Sequence, residues 1–319
     1  MSVRMLAIGT ATQDVFLSGE ALQPHRHGKE LFEELKLGSK LTLDAIVFAT
    51  GGNAMNAAVT FARQGLHSSF MGVIGDDPAG QAVTRVLDDE DIDTTYLHVA
   101  DDQTTSYSTI LLAPTGERTI LNYSGAKIGH GKHTVDMHAL DGDWLYISSM
   151  GGSMQLLADV VDAAAKKGMK VAFNPGSREL QYPDKIRGLL DDVTLLVMNK
   201  EEMQLIVEGD TMEELARHAA HYVDYAVVTD GPQGVTAVGK GKVVTGGMYK
   251  DVKVVDRTGA GDAFGSGFAA MVAKGETLEK AVVFASANST SVVTKIGATA
   301  GILHARAHLE DMPLKVKRL

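Results

Sequence analysis

The chain has 319 residues, no cysteine and a formal net charge of −10 at pH 7. That length exceeds one minimal domain and suits a single large α/β domain with an appendage, built around a sizeable apolar core. Disulfides, thiol chemistry and cysteine-ligated zinc are excluded. The acidic balance argues against a nucleic-acid partner, which needs a basic stripe, and serves solubility instead.

Residues 3–9 read as a short apolar first strand, too short for a signal peptide. No run approaches the ~20 apolar residues of a membrane helix, so a cytoplasmic protein is expected. Residues 16–46 follow as a polar stretch with Pro24 and His25-Arg26-His27, closing on a strand candidate at 43–48. A helix is expected at 53–64, a strand at 69–75 and a helix at 80–89. Residues 94–123 are rich in Thr, Tyr and Ile and alternate in polarity, with strands at 109–113 and 118–122 around Pro114-Thr115-Gly116. Strands at 144–148, 170–174, 194–199 and 226–230 then alternate with helices at 153–167, 200–207 and 212–222. That alternation predicts βαβ units and a mostly parallel sheet covered on both faces. Antiparallel edge strands are expected at 235–238, 242–245 and 252–255, before two long helices starting near Gly261 and Leu278.

The two irregular excursions are similar in kind and are expected to pair into a small β-sheet. Residues 15–46 and 94–123 would form it, and 1–14, 47–93 and 124–319 the main domain. On pattern alone it is either a lid or an edge extension.

The run Asp256-Arg257-Thr258-Gly259-Ala260-Gly261-Asp262-Ala263 ends an apolar stretch and opens a helix. Unpaired N–H groups at a helix start form a site for anionic oxygens, and glycine allows a phosphate close approach. Asp262 either caps the helix or acts as a base beside that anion site, the arrangement phosphoryl transfer needs. A second run, Gly51-Gly52-Asn53-Ala54-Met55-Asn56, opens another helix with two asparagines, a donor and acceptor set suited to a polyhydroxylated ligand. Asp14 follows the first strand, where open α/β sheets place ligands.

Together these runs resemble the paired signatures of the ribokinase-like carbohydrate kinase (PfkB) family, over nearly the whole chain and in the same order. The resemblance implies a three-layer α/β/α sandwich with a mostly parallel central sheet and a small β-sheet lid. It implies ATP and Mg²⁺ as cofactors, with Asp262 as base and Gly259, Ala260 and Gly261 as the anion hole. Asp14, Gly52 and Asn56 correspond to acceptor-binding positions. Asn199 and Glu202 correspond to the motif that orders Mg²⁺ through water, although three-residue spacing at a helix start also fits a capping box. Thr229, Gly231 and Gly234 resemble the nucleotide-side turn and Asn288 the adenine pocket. The run Thr294-Lys295-Ile296-Gly297-Ala298 resembles a monovalent-cation loop with Asp256 as its side-chain ligand, implying K⁺.

The acceptor is less legible. Thr10-Ala11-Thr12-Gln13 precedes Asp14 without the Asn usual in ribokinases, and Gly52-Asn53-Ala54 lacks their Lys. A neutral fructose-like hexose or a pentose is expected, phosphorylated at a primary hydroxyl, because the first signature offers no cation. Arg26, Lys29, Arg118 and Lys127 are the cations the small sheet would contribute. The alternatives are an adenosine-like nucleoside stacked on Phe16, Phe48, Tyr107 or Tyr123, and a non-catalytic ligand-binding protein on this scaffold. A homodimer through the exposed lid edges is expected. Gly234 to Lys240 approaches a P-loop, but Gly241 stands where Ser or Thr must reach Mg²⁺. His130, His133 and His138 read as surface histidines in a loop, and His218 and His221 as a solvated helix face.

Overall fold

In the computed structural model, which describes residues 2–115, 117–129, 133, 135–249 and 252–319, the apolar runs become strands and the amphipathic runs helices. The first third contains β1 (Arg4–Ile8), β2 (Thr12–Ser18), β3 (His25–His27), β4 (Glu30–Phe32), β5 (Ala45–Gly51), α1 (Asn53–Arg63), β6 (His67–Gly75), α2 (Pro78–Asp89) and β7 (Leu97–Ala100). The middle contains β8 (Ser106–Leu112), β9 (Arg118–Tyr123), β10 (Trp144–Ile147), α3 (Met154–Lys166), β11 (Lys170–Phe173), α4 (Pro183–Arg187), β12 (Leu195–Asn199), α5 (Lys200–Ile206) and α6 (Met212–Ala219). The last third contains β13 (Tyr225–Thr229), β14 (Val235–Gly239), β15 (Lys242–Gly246), α7 (Ala260–Ala273), α8 (Leu278–Val292) and β16 (Leu314–Arg318).

Ten strands form the main sheet in the order β16-β15-β14-β13-β12-β11-β10-β1-β6-β7. From β7 to β13 every pairing is parallel, and β14, β15 and β16 finish the edge antiparallel. Alternate residues of one strand enter opposite cores, as the pleat requires. Met5 and Ala7 face α1, α2, α7 and α8, whereas Leu6 and Ile8 face α3, α5 and α6. β1 therefore carries four consecutive buried apolar residues, the signature of a strand covered on both sides.

A separate sheet, ordered β5-β2-β8-β9, stands apart from the main one, and β3 and β4 form an exposed hairpin. β2 pairs antiparallel with β5 and parallel with β8, so both excursions supply the small sheet. β7, from the second excursion, joins the main sheet beside β6.

Two expectations are corrected here. No strand forms at 252–255, because the amides of Val255 and Asp256 turn toward the carbonyl of Val293 at 2.8 and 3.3 Å. Its edge place is taken by β16, whose Leu-Lys-Val-Lys-Arg alternation pairs along β15. His133 is buried rather than superficial, with its ring Nε2 2.8 Å from Asp102 Oδ1 and its ring against His98. Gly116 and His130 lie outside the described residues. The segment resembling a P-loop is the antiparallel strand β14.

Candidate active site

Two helix starts meet at the carboxyl ends of the parallel strands. α1 begins after Gly52, whose φ of 98° only glycine adopts readily and where a Cβ would run into the Thr10 carbonyl. α7 begins after Gly259, at φ 77°, where a Cβ would collide with Ala298. Small residues then let α7 sit deep. A Cβ on Gly265 would lie 3.0 Å from Tyr146 Oη, and one on Gly267 3.2 Å from Phe284 of α8.

Asp262, in the first turn of α7, does not cap its own helix. Its Oδ2 accepts a 2.8 Å hydrogen bond from Asn56 Nδ2 of α1. The carboxyl lies deep while the residue retains accessible surface. Burial pushes its pKa up to about 6, and the Asn56 bond pulls it the other way. A second link braces the pair: Ser266 Oγ donates to the Asp262 carbonyl at 2.6 Å and lies 2.8 Å from Thr60 Oγ1. The N–H groups of Gly261 and Asp262 have no acceptor within the helix by position, and nothing stands over Gly261. A base of moderate strength thus lies beside free amide donors.

Asp14 lies in β2 of the small sheet and is 5% exposed. The register sets Asp14, Ser108 and Asn122 abreast on one face. Thr12 Oγ1 donates to Asp14 at 3.1 Å. Burial raises the Asp14 pKa, the Ser108 and Thr12 hydroxyls lower it, and the nearby Asp256 charge raises it again. Gly51 backs directly onto this carboxylate, so Asp14 and Asp262 both converge on the start of α1. Three of the four aromatics expected to stack a base are not on this side. Phe48, Tyr107 and Tyr123 have the opposite parity, in register with Val15 and Gln13, while Phe16 is 2% exposed and packed inward.

Asp256 is buried, accepting from Thr258 N and Oγ1 at 3.0 and 2.7 Å and from Gly297 N at 3.1 Å. This ties the Thr294 to Ala298 loop to the start of α7, and Gly297 abuts Ala49 of β5. Three donors leave part of the carboxylate's acceptor capacity unused, which fits a monovalent cation.

Asn199 ends β12 in register with Thr229, the last residue of β13. Asn199 Oδ1 accepts from Glu202 N at 2.9 Å and Glu202 Oε2 from Asn199 N at 3.0 Å, so the capping box is formed. Burial raises the Glu202 pKa against these bonds. Among the described residues its other oxygen meets no donor. Among the described residues no three acidic or imidazole groups cluster as a metal cage. Mg²⁺ that keeps its waters and binds phosphates needs only one or two carboxylates, so this donor set fits it. Gly231 and Gly234, at φ 45° and 96°, form the turn after β13, closed by Asp230 N to Gly234 O at 2.9 Å. Asn288 has no exposed surface. Its amide donates to the Ala263 carbonyl and accepts from Leu303 N, both at 2.8 Å, so it braces α7 from behind.

Residues 19–305 match the pfkB family of carbohydrate kinases. The chain belongs to that family. This pfkB-family kinase, a phosphotransferase, is 28% identical over 281 residues to a ribokinase of Haemophilus influenzae, covering 84% of this chain and 88% of that protein. It is 32% identical over 232 residues to an Escherichia coli fructokinase, covering 68% and 75%. Its fold is that of the Arabidopsis thaliana ribokinase complexed with ribose and ATP, with a TM-score of 0.77, 21% identity, and 96% and 97% of the two chains covered. The Cryptococcus neoformans ribokinase in complex with ADP superposes with a TM-score of 0.73 at 23% identity, covering 95% and 98%. No helix among the described residues is long and apolar enough to cross a membrane.

Sequence reasoning missed several supports of the kinase site. Asn56, read in sequence as an acceptor contact, holds the Asp262 carboxylate, Thr60 and Ser266 join the two helices, and Tyr146 lies beneath α7 with its hydroxyl buried and unpartnered among the described residues. Burial, and then the Asp262 charge, raise the Tyr146 pKa. These supports are single polar residues in apolar runs, and only their pairing across about 200 positions reveals them. A surface depression of about 710 Å³ beside Arg4, Asp141, Asp143 and Lys170 lies at the opposite ends of the strands and takes no part.

Proposed function

We propose that this kinase transfers the γ-phosphoryl group of ATP directly to a hydroxyl, a primary one, of a pentose- or hexose-sized sugar. The observation that carries the reading is the Asp262 carboxylate, held by Asn56 beside the free amides of α7. Asp262 takes the proton as the acceptor oxygen attacks the γ-phosphorus in line. The bond to the bridging oxygen breaks, and ADP leaves with that oxygen. The amides from Gly259 to Gly261 hold the charge that develops on the transferred group. Asp14 and Gly52 position the acceptor, and Asn56 positions the base. Asn199, Thr229, Gly231 and Gly234 border the nucleotide, and Asn288 braces α7 from behind. Glu202 would hold Mg²⁺ through water and Asp256 would hold K⁺. Mg²⁺, when bound, neutralises phosphate charge.

The small sheet acts as a lid whose closure excludes water as a competing acceptor. A sugar is favoured over a nucleoside because the lid presents Asp14, Ser108 and Asn122 toward the site and turns its exposed aromatics away. The intact base and metal motif favour an enzyme over a binding protein.

The test is ADP release over a panel of sugars, sugar derivatives and nucleosides, with Asp262→Asn beside the wild type. Loss of the base should cost about 10³-fold in kcat, with ATP still bound in a direct titration. Turnover within tenfold of wild type would remove Asp262 from the chemistry.

A further inference from the structure

Among the described residues Arg4 is paired with Asp141, Arg63 with Glu90 and Lys242 with Glu279. Lys127 and Arg178 are not. They stand at the acceptor side of the site, and among the described residues neither meets a carboxylate.

Their position follows from the chain path. After β9 the backbone turns back along the base of the small sheet. Gly125 N donates to Ser106 Oγ at 3.0 Å and Ala126 N to Thr104 O at 2.7 Å. Ser106 is in register with Thr12, two residues from Asp14. Lys127 therefore lies at the hinge of the sheet that carries Asp14, Ser108 and Asn122. Arg178 comes from the main domain, on the segment after β11, and its Nη2 donates to Ser124 Oγ at 3.2 Å, just past the end of β9.

Both stems pack across the loop after β10. A Cβ on Gly151 would lie 3.3 Å from Lys127 Cδ, and one on Gly152 3.2 Å from Arg178 Cβ. Both glycines have positive φ, 71° and 87°, so the loop is shaped to let the two cations approach. Glu179, adjacent to Arg178, does not neutralise them. It is turned inward, with Oε1 accepting from the amides of Met150 and Gly152 at 2.9 and 2.7 Å. Burial, and then the Arg178 charge, lower the Lys127 pKa. Two like charges held together at the mouth of a ligand site call for an anion between them.

We propose that Lys127 and Arg178 form an anion subsite for the acceptor, so that the sugar carries a carboxylate or phosphate at the end remote from the hydroxyl that Asp262 deprotonates. This rests on the sugar-kinase reading and replaces the expectation of a neutral acceptor, which was drawn from the absence of a cation in the first signature; of these two residues the sequence had offered only Lys127, among the cations of the small sheet.

The experiment compares ADP release from matched acceptors: neutral pentoses and hexoses, their aldonic or keto-acid forms, and their monophosphates. One acidic series should exceed its neutral parent in kcat/KM, and which series does so separates carboxylate from phosphate. In Lys127→Met/Arg178→Gln the acid-to-neutral ratio of kcat/KM should collapse by about a hundredfold. The pair Lys127→Arg and Arg178→Lys should keep most of the preference. Preference for the neutral parent, or a ratio untouched by the double variant, overturns the subsite and leaves the kinase reading standing. A rise in the KM for ATP alone assigns the cations to the nucleotide and also overturns it. No ADP release from any acceptor, neutral or acidic, overturns both readings.

Discussion

Asp262 sits between two opposed influences: burial disfavours its charged form, and the Asn56 amide favours it. A hydrogen bond to a charged group contributes ~1.5–3 kcal/mol, which leaves burial ahead and the pKa at about 6. The group must be ionised to accept a proton, so kcat/KM should fall tenfold per pH unit below about 6 and level off above it. Asn56→Ala removes the bond that favours the charge. The acid limb should then move to higher pH by roughly one to two units. A pH profile of kcat/KM checks this, and an unmoved limb would show that Asn56 does not act on the base. Asp14 is assigned to the acceptor in the proposed reading, and Asp14→Ala should then raise the KM of the acceptor about tenfold or more, well beyond any change in the KM for ATP. Initial-rate kinetics with each substrate varied in turn would detect the opposite order.

Among the elements, α7 shows why the helix starts were legible and their supports were not. Gly259 to Asp262 carries its signal in four adjacent residues, so the turn and the anion site read directly from the chain. Asn288, 26 residues later, resembles an adenine-pocket residue in sequence yet lies wholly inside, joined to Ala263 and Leu303. Asn288→Ala leaves the Leu303 amide without its acceptor and should destabilise the fold by ~1–3 kcal/mol, read as a lower denaturant midpoint at unchanged slope. The strands followed the same logic. Buried parallel strands such as β10 and β12 announce themselves as apolar runs, Trp-Leu-Tyr-Ile and Leu-Leu-Val-Met. β16 does not, because an edge strand with Lys and Arg on its open side carries no such run. The expected strand at 252–255 had the apolar residues but lacked a neighbour free to pair. Face parity in the small sheet was likewise invisible until the β2 and β8 register was fixed, since a shift of one residue exchanges the two faces.

At the scale of the molecule, the small sheet has one face toward the main domain and one away from it. Ile46, Phe48, Leu121 and Tyr123 lie exposed on the far face, at its β5 and β9 rims. Such a patch marks an interaction surface, and we propose that a second copy of the chain covers it. Phe48→Glu should then yield a species with the mass of one chain in sedimentation analysis. Wild-type protein already monomeric at micromolar concentration would dispose of the pairing.

The bonds from Asn56 to Asp262 and from Thr60 to Ser266 join positions 206 residues apart. A nascent polypeptide can therefore complete the segments assigned to the acceptor long before it owns the carboxylate proposed to activate it. Until the last two helices emerge and dock, the growing chain would be a receptacle without chemistry. Phosphate transfer is thus a late milestone of biogenesis, and its onset would report that both ends of the chain have found each other.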